Sequence, residues 1–551
     1  MADLSFSTLR SMSLRTAEGA TRFLSWQKAP LCFGFLTALL ALYVWGGLNA
    51  EPVVHDETAY LFQAKLFEHG RWTAPSPPAP EFFEQYHLLL TPSYASKYWP
   101  GHSLLLAPAV GIGLPGLEPL LLSGLAATLL FSLARTLANG WVALYTWFFW
   151  TTSMSNLSFQ TSYLSETTTA ALWLLGWWSF LLWRREGRFW PLFLVVFSIA
   201  WGAITRPLSA IAYSLPLAAV VLHTAVVRRQ VSRLVLAGTL GLVILAIVPL
   251  WSRSTTGAWW KTPYFLHTQM YFPFVHLGFG EKPAVVERDL PKDMKTLELE
   301  VRRVQAAHQL ALLPATLRDR LTQIAGNMWG GWRGSVWRGW RVPFSFLAIF
   351  GIALLPPEGL FAFVTAALLV GIYLLYAHPP QMIVYYYEIQ PVLALATALG
   401  VFWWAHLLTQ KRPPVRGRLS EVPRATALLL VLVFGTAVLL ARTDTEQVRE
   451  FDQRWSGYYR GLQQAFQSLP GNKVVVFVRY SPSHNPHHGL IRNEPDLDRA
   501  RVWVVQDRDG ENTKLLSAAP DRVAYLFDEA SGQIVFLAAA GTLRRSDSPS
   551  P

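Results

Sequence analysis

The chain has 551 residues with 47 Lys+Arg against 35 Asp+Glu, a formal net charge of +12, 52% hydrophobic and only 15% charged residues, and a mean hydropathy of +0.27. Soluble domains are roughly 25% charged, so this composition cannot cover an ordinary water-facing surface; it excludes a soluble enzyme, a disordered protein and a collagen-like one. The basic balance and the 24 Trp point to topology signals, membrane interfaces and an anionic lipid or substrate, with no nucleic acid among the partners.

Apolar runs long enough to cross ~30 Å of hydrocarbon start near residues 29, 117, 140, 164, 190, 207, 233, 342, 359, 388 and 424, which predicts about eleven spans. Arg10, Arg15, Arg22 and Lys28 precede the first span, and Arg184, Arg185 and Arg188 follow the fourth. Arg228, Arg229 and Arg233 follow the sixth, and Lys411, Arg412, Arg416, Arg418 and Arg424 the tenth. Alternating spans put all four clusters on one side, the cytoplasm by the positive-inside rule, with the N-terminus inside and the C-terminus outside. Residues 29–50 read as a retained anchor rather than a signal peptide, because the run is long for an h-region and 28 residues precede it. Cys32 is the single cysteine, so folding needs no intramolecular disulfide.

A cytoplasmic segment, 1–28, thus precedes a transmembrane module, 29–442, with external loops at 51–115 and 252–341. In the first loop, His55–His69 and Pro100–Leu114 are amphipathic and too short to cross. From 443 to 551 the pattern changes to a small soluble α/β domain. An amphipathic helix over Val448–Leu469 is followed by strands over Lys473–Tyr480, Val502–Gln506, Arg522–Phe527 and Ile534–Leu537.

The chemistry-bearing residues gather on the outer side. His55-Asp56-Glu57 opens a helical stretch directly after the first span. Adjacent acids at a membrane surface are capped, paired or functional; Asp56 as an N-cap and Glu57 as a first-turn acid is one reading, a general base is the other, and the two are compatible. Glu166 opens the fourth span, where the helix dipole alone favours an acid. Lys97 and Arg206 are cations at the level of the headgroups, suited to snorkelling or to holding a phosphate. Tyr385-Tyr386-Tyr387-Glu388 marks the outer end of the tenth span, as an aromatic belt or the lining of a groove. His55, His69, His87, His102, His267 and His276 also lie outside, without a ligand spacing such as H-E-x-x-H. His55 beside two acids is therefore a hydrogen-bonding residue or, alternatively, part of a site for a divalent metal ion. No phosphate-binding loop or dinucleotide fingerprint occurs, so direct use of ATP or of a nucleotide sugar is not expected.

The loop from His55-Asp56-Glu57-Thr58-Ala59-Tyr60 onward resembles the first external loop of the GT-C superfamily of glycosyltransferases. Within it, the closest resemblance is to the family 39-like branch that contains protein O-mannosyltransferases and the lipid A aminoarabinose transferase. Gly70-Arg71-Trp72, the Pro75–Pro80 turn, Ser96-Lys97-Tyr98-Trp99-Pro100-Gly101-His102 and the following short helix keep that branch's order, and Ser162-Tyr163-Leu164-Ser165-Glu166 falls where it carries a second acid. The resemblance covers about residues 30–260 well and the rest in layout. It implies a polytopic α-helical membrane enzyme that takes a sugar from a polyprenyl phosphate and passes it, with inversion, to an acceptor hydroxyl of a lipid, polysaccharide or protein outside a bacterial inner or plasma membrane. On that resemblance Asp56 is the base, Glu57 and Glu166 assist, Lys97 and Arg206 hold the lipid phosphate, and His102, Tyr387 and Glu388 contribute to substrate binding. Some relatives bind a divalent ion and others do not. A lipid-linked saccharide transporter or flippase, or a polysaccharide polymerase or ligase, is the alternative reading.

Overall fold

The structure, a computed structural model, describes residues 18–286, 288–330, 342–410 and 423–539. α1 (Glu18–Ser25) bends by 93° into α2 (Ala29–Trp45). The first external loop holds α3 (His55–Glu68), a two-residue antiparallel pair β1 (Leu88–Leu89) and β2 (Ala95–Ser96), and α4 (Pro100–Gly111). There follow α5 (Leu117–Leu137), α6 (Gly140–Thr151), α7 (Met154–Phe159), α8 (Glu166–Glu186), α9 (Phe189–Ala203), α10 (Pro207–Val227), α11 (Val231–Leu245) and α12 (Ile247–Thr256). The second external segment carries α13 (Pro263–Tyr271), α14 (Lys292–Ala307) and α15 (Leu313–Trp329). The chain then returns through α16 (Val342–Ala353), α17 (Pro357–Tyr373), a 3-10 turn over Ile383–Ile389, α18 (Gln390–Gln410) and α19 (Arg424–Ser468).

Every apolar run read from the sequence is helical, but the runs differ in reach. Among the described residues five helices are long and apolar enough to cross alone, and two bent pairs, α1 with α2 and α16 with α17 at 117°, raise that to seven. The shortfall from eleven is one of length and charge. The 12 residues of α6 rise only about 18 Å at 1.5 Å each, and α8 carries Glu166, Arg184, Arg185 and Glu186 at its ends. Small residues let the helices touch: a Cβ on Gly351 would stand 1.7 Å from the Ala396 carbonyl oxygen, so α16 and α18 meet backbone to backbone.

The basic clusters share one end of the bundle. Arg233 donates to the Gly187 carbonyl at 2.7 Å, and Arg135 donates to that of Trp26 at 2.7 Å. Glu166 and Arg206 start their helices at the opposite end. Arg10, Arg15, Lys411, Arg412, Arg416 and Arg418 lie outside the described residues.

The tail forms β3 (Val474–Arg479), β4 (Val502–Gln506), α20 (Asn512–Ala518), β5 (Val523–Asp528) and β6 (Gln533–Ala538), close to the predicted strands. The sheet order is β4-β3-β5-β6, with β3 parallel to both neighbours and β6 antiparallel. Period-two alternation sorts its side chains: Val475, Phe477, Trp503 and Val505 pack on Ala59, Phe62 and Leu66 of α3, while Val474, Val476 and Val504 pack on Tyr459 and Phe466 of α19. From its other side α3 sends Ala64 against Trp45, Leu106 and Tyr163 of the membrane module. One expectation is corrected here. The tail does not begin a separate helix near Val448; α19 is continuous for 45 residues through the boundary placed at 443, because Thr443-Asp444-Thr445 contains neither Pro nor Gly to stop it.

Candidate active site

The two adjacent acids have different tasks. Val54, not Asp56, is the N-cap of α3, and His55 is its first residue. Glu57 is only 4% exposed and its carboxylate is filled by backbone: Oε2 accepts from the amides of Val53 (2.6 Å) and Val54 (3.0 Å), Oε1 from that of Tyr163 (2.9 Å). Burial raises its pKa, with the three amides opposing. It thus closes the start of α3 and staples it to the loop before α8, rather than facing a substrate.

Asp56 points the other way, with 41% of its side chain exposed. Tyr98 donates its hydroxyl to Oδ1, and His87 Nε2 stands 3.4 Å from Oδ2. Burial works against its charge, but His87, the Tyr98 hydroxyl and Lys97 outweigh it and hold the carboxyl far below the usual range. The hairpin arranges these partners: the Lys97 amide donates to the His87 carbonyl at 2.9 Å, so Leu88–Ser96 pairing brings His87 beside Lys97 and Tyr98. The Lys97 ammonium lies 5.3 Å from the ring centres of both Tyr98 and Tyr264, and no carboxylate pairs with it among the described residues. Burial pushes its pKa down to about 8, with Asp56 opposing. Burial and Lys97 likewise lower that of His87. A fixed, partly exposed carboxylate therefore stands near an unpaired, partly desolvated ammonium.

Glu166 and Arg206 neutralise each other instead of standing free. The guanidinium donates to Glu166 Oε1 at 2.8 Å with both side chains at most 10% exposed. Arg206 also lies over the Tyr385 ring at 5.8 Å. Tyr387 donates its hydroxyl to Asn156 Oδ1, and Glu388 beside it is fully buried. His102 is corrected: it is fully buried, with Nδ1 on Thr168 Oγ1 and Nε2 on the Tyr163 carbonyl, both at 2.9 Å, so its ring has no nitrogen to offer a substrate. It locks α4 to α8. His55 turns toward the C-terminal domain, where a Cβ on Gly489 would lie 2.1 Å from its ring. Among the described residues no group of three or more His, Cys, Asp or Glu is arranged to hold a metal ion.

Tyr98 and Tyr264 are site residues that reading the sequence did not single out, and His87 stood there only among the external histidines. Tyr98 lay inside the Ser96–His102 motif, whereas His87 is joined to the site by a two-residue ladder too short to leave an alternating pattern.

No protein-family model matches the chain, and no curated protein matches it. Solved structures similar to it include ArnT from Cupriavidus metallidurans bound to undecaprenyl phosphate, at 14% identity and a TM-score of 0.47, covering 92% of this chain and 91% of that one. It is also similar to the archaeal oligosaccharyltransferase AglB from Archaeoglobus fulgidus, solved with an inhibitory peptide and a dolichol-phosphate (14% identity, TM-score 0.41, 83% of this chain and 63% of that). A third is the arabinosyltransferase EmbB from Mycobacterium smegmatis (12% identity, TM-score 0.36, 79% of this chain and 40% of that). The similarity is one of chain layout.

Proposed function

We propose that the chain is an integral-membrane glycosyltransferase that moves a sugar from a polyprenyl-phosphate donor to an acceptor hydroxyl on the outer face, with inversion at the anomeric carbon. The observation that carries this reading is the placing of an exposed, doubly held Asp56 near an unpaired Lys97 in one loop. Asp56 accepts a hydrogen bond from the acceptor hydroxyl and takes its proton as the new C–O bond forms. Its oxygens keep lone pairs free beyond Tyr98 and His87. Lys97 balances the charge that builds on the departing phosphate. Because Asp56 stays ionised well into the acid range, it needs no prior deprotonation. It is a weak base at rest, so alignment of the hydroxyl, rather than basicity, supplies most of its effect.

The deciding measurement uses protein reconstituted in liposomes with polyprenyl-phosphate sugars and reads release of the polyprenyl phosphate. Asp56→Asn should lower turnover by about 10²–10⁴ while leaving expression and binding of undecaprenyl phosphate intact. Wild-type turnover in that variant would remove Asp56 from the mechanism.

A further inference from the structure

Where α2 leaves the membrane, the chain builds a cleft of ≈ 770 Å³, large enough for a small ligand or a lipid headgroup. α2 ends at Trp45, and Gly46 turns the chain with φ in the left-handed region at 80°. The segment that follows is tied down on two sides. The Leu48 carbonyl accepts from the Gly116 amide, between α4 and α5, at 2.8 Å. The Glu51 amide donates to Ser456 Oγ of α19 at 2.8 Å. The cleft lies between this segment and the C-terminal half of α19.

Its lining has two chemistries. Leu42, Leu48 and Leu114 supply an apolar part. Tyr43 and Ile112, close to these leucines in the chain, are exposed, as suits side chains that meet lipid at the headgroup boundary. The polar part is one face of α19: Arg460, Gln463, Gln464 and Gln467 line the cleft at spacings of i, i+3, i+4 and i+7. Tyr459 and Phe466, on another face of the helix, pack on the tail sheet instead. Glu51 adds the one carboxylate of the lining. Arg460 donates to the Asn49 carbonyl at 3.0 Å. Among the described residues neither Arg460 nor Glu51 is in an ion pair, and the side chains of the three glutamines make no hydrogen bond to protein.

We propose that this cleft binds a zwitterionic phospholipid with a primary amine, of the phosphatidylethanolamine kind, from the leaflet on the Asp56 side. Arg460 holds the phosphate, Glu51 and the glutamine carbonyls accept from the ammonium, and the glycerol and first acyl carbons lie on the three leucines. An anionic headgroup without an amine leaves Glu51 unmatched, and a choline headgroup has no N–H to donate. A saccharide would satisfy the amides but would use neither the opposite charges nor the leucines. The site stands apart from the proposed reaction and does not rest on it. Bound lipid joins α2, the segment ahead of α3 and α19, and so secures the tail domain to the membrane module.

The test titrates the full chain in detergent with dihexanoyl phosphatidylethanolamine and with the phosphatidylcholine and phosphatidylglycerol of the same chains. The wild type binds the ethanolamine lipid about tenfold more tightly than either of the others. Glu51→Gln, nearly isosteric, brings the ethanolamine lipid down to the level of the choline lipid, and Arg460→Gln weakens all three. Equal affinities in the wild type overturn the proposal, a result that needs no variant to fold. So does a preference that survives Glu51→Gln, or an affinity untouched by Arg460→Gln. Binding of maltotriose that Gln464→Leu abolishes, with no preference among the phospholipids, reassigns the cleft to a saccharide.

Discussion

At the scale of single residues, neighbours in sequence are separated by what surrounds them. Glu57 spends both oxygens on backbone amides, so Glu57→Gln turns an NH₂ toward donors it cannot satisfy. We expect a stability loss of about 1–3 kcal/mol, read as a lower melting temperature, against little change for Asp56→Asn. Equal melting temperatures for the two variants would contradict the assignment of roles. Lys97 makes a second, pH-dependent prediction. Its pKa in the free protein lies at about 8, below the ordinary lysine value, so the cation is present below that pH and is lost as pH rises through it. The kcat/KM for the donor should therefore fall on the alkaline side of about pH 8. A bound phosphate favours the charged lysine, so kcat at saturating donor should fall less. In Lys97→Arg, whose guanidinium stays charged, the alkaline fall should vanish; if it persists, another group titrates there.

At the scale of elements, α3 is the shared part. One side packs on the sheet of the C-terminal domain and the other on the membrane module, so the helix that carries Asp56 is clamped between them. A close approach in that clamp is Gly489, where an added Cβ would come 2.1 Å from the ring of His55, the residue before Asp56. Gly489→Ala should push the domain off His55 and lower kcat about tenfold, as small displacements of reacting groups do, with the affinity for undecaprenyl phosphate retained. A double-mutant cycle with His55→Ala gives the check: the two losses should be far from additive, and strict additivity would show that the contact does not position Asp56. Much of this level was legible beforehand. The four strands were visible because Val-rich runs between Gly and Pro turns have only one regular use, and α4 because its Pro100 start and short apolar run fit an interfacial helix. The continuity of α19 was not, since a change from apolar to amphipathic composition marks a change of environment, not the end of a helix. Nor was the hairpin, because two residues per strand are too few to show a period.

At the scale of the whole molecule, the charge has a direction. The clusters at 184–188 and 228–233 sit at one end of the bundle, while Asp56, Glu166 and Arg206 gather at the other. A chain lacking Cys32 and given one new cysteine tests the orientation inferred from them. In intact cells Ser531→Cys, on the tail domain, should react with an impermeant maleimide, and Arg229→Cys should react only after the membrane is opened. The reverse pattern would invert the topology and place Asp56 on the cytoplasmic side.

The sequence by itself determined the membrane class, the helical runs, the clustering of basic residues and the tail sheet. All of these are local or additive properties: hydropathy, charge and period are carried by the residues themselves. Only the tertiary structure decided which acid is free and which is spent, that Arg206 is bound to Glu166, that His102 is a brace, and that His87 and Tyr98 hold Asp56. Those outcomes depend on partners distant in sequence, such as Tyr163, 106 residues from Glu57. A residue type states what bonds it can make, and packing alone settles which of them are already made.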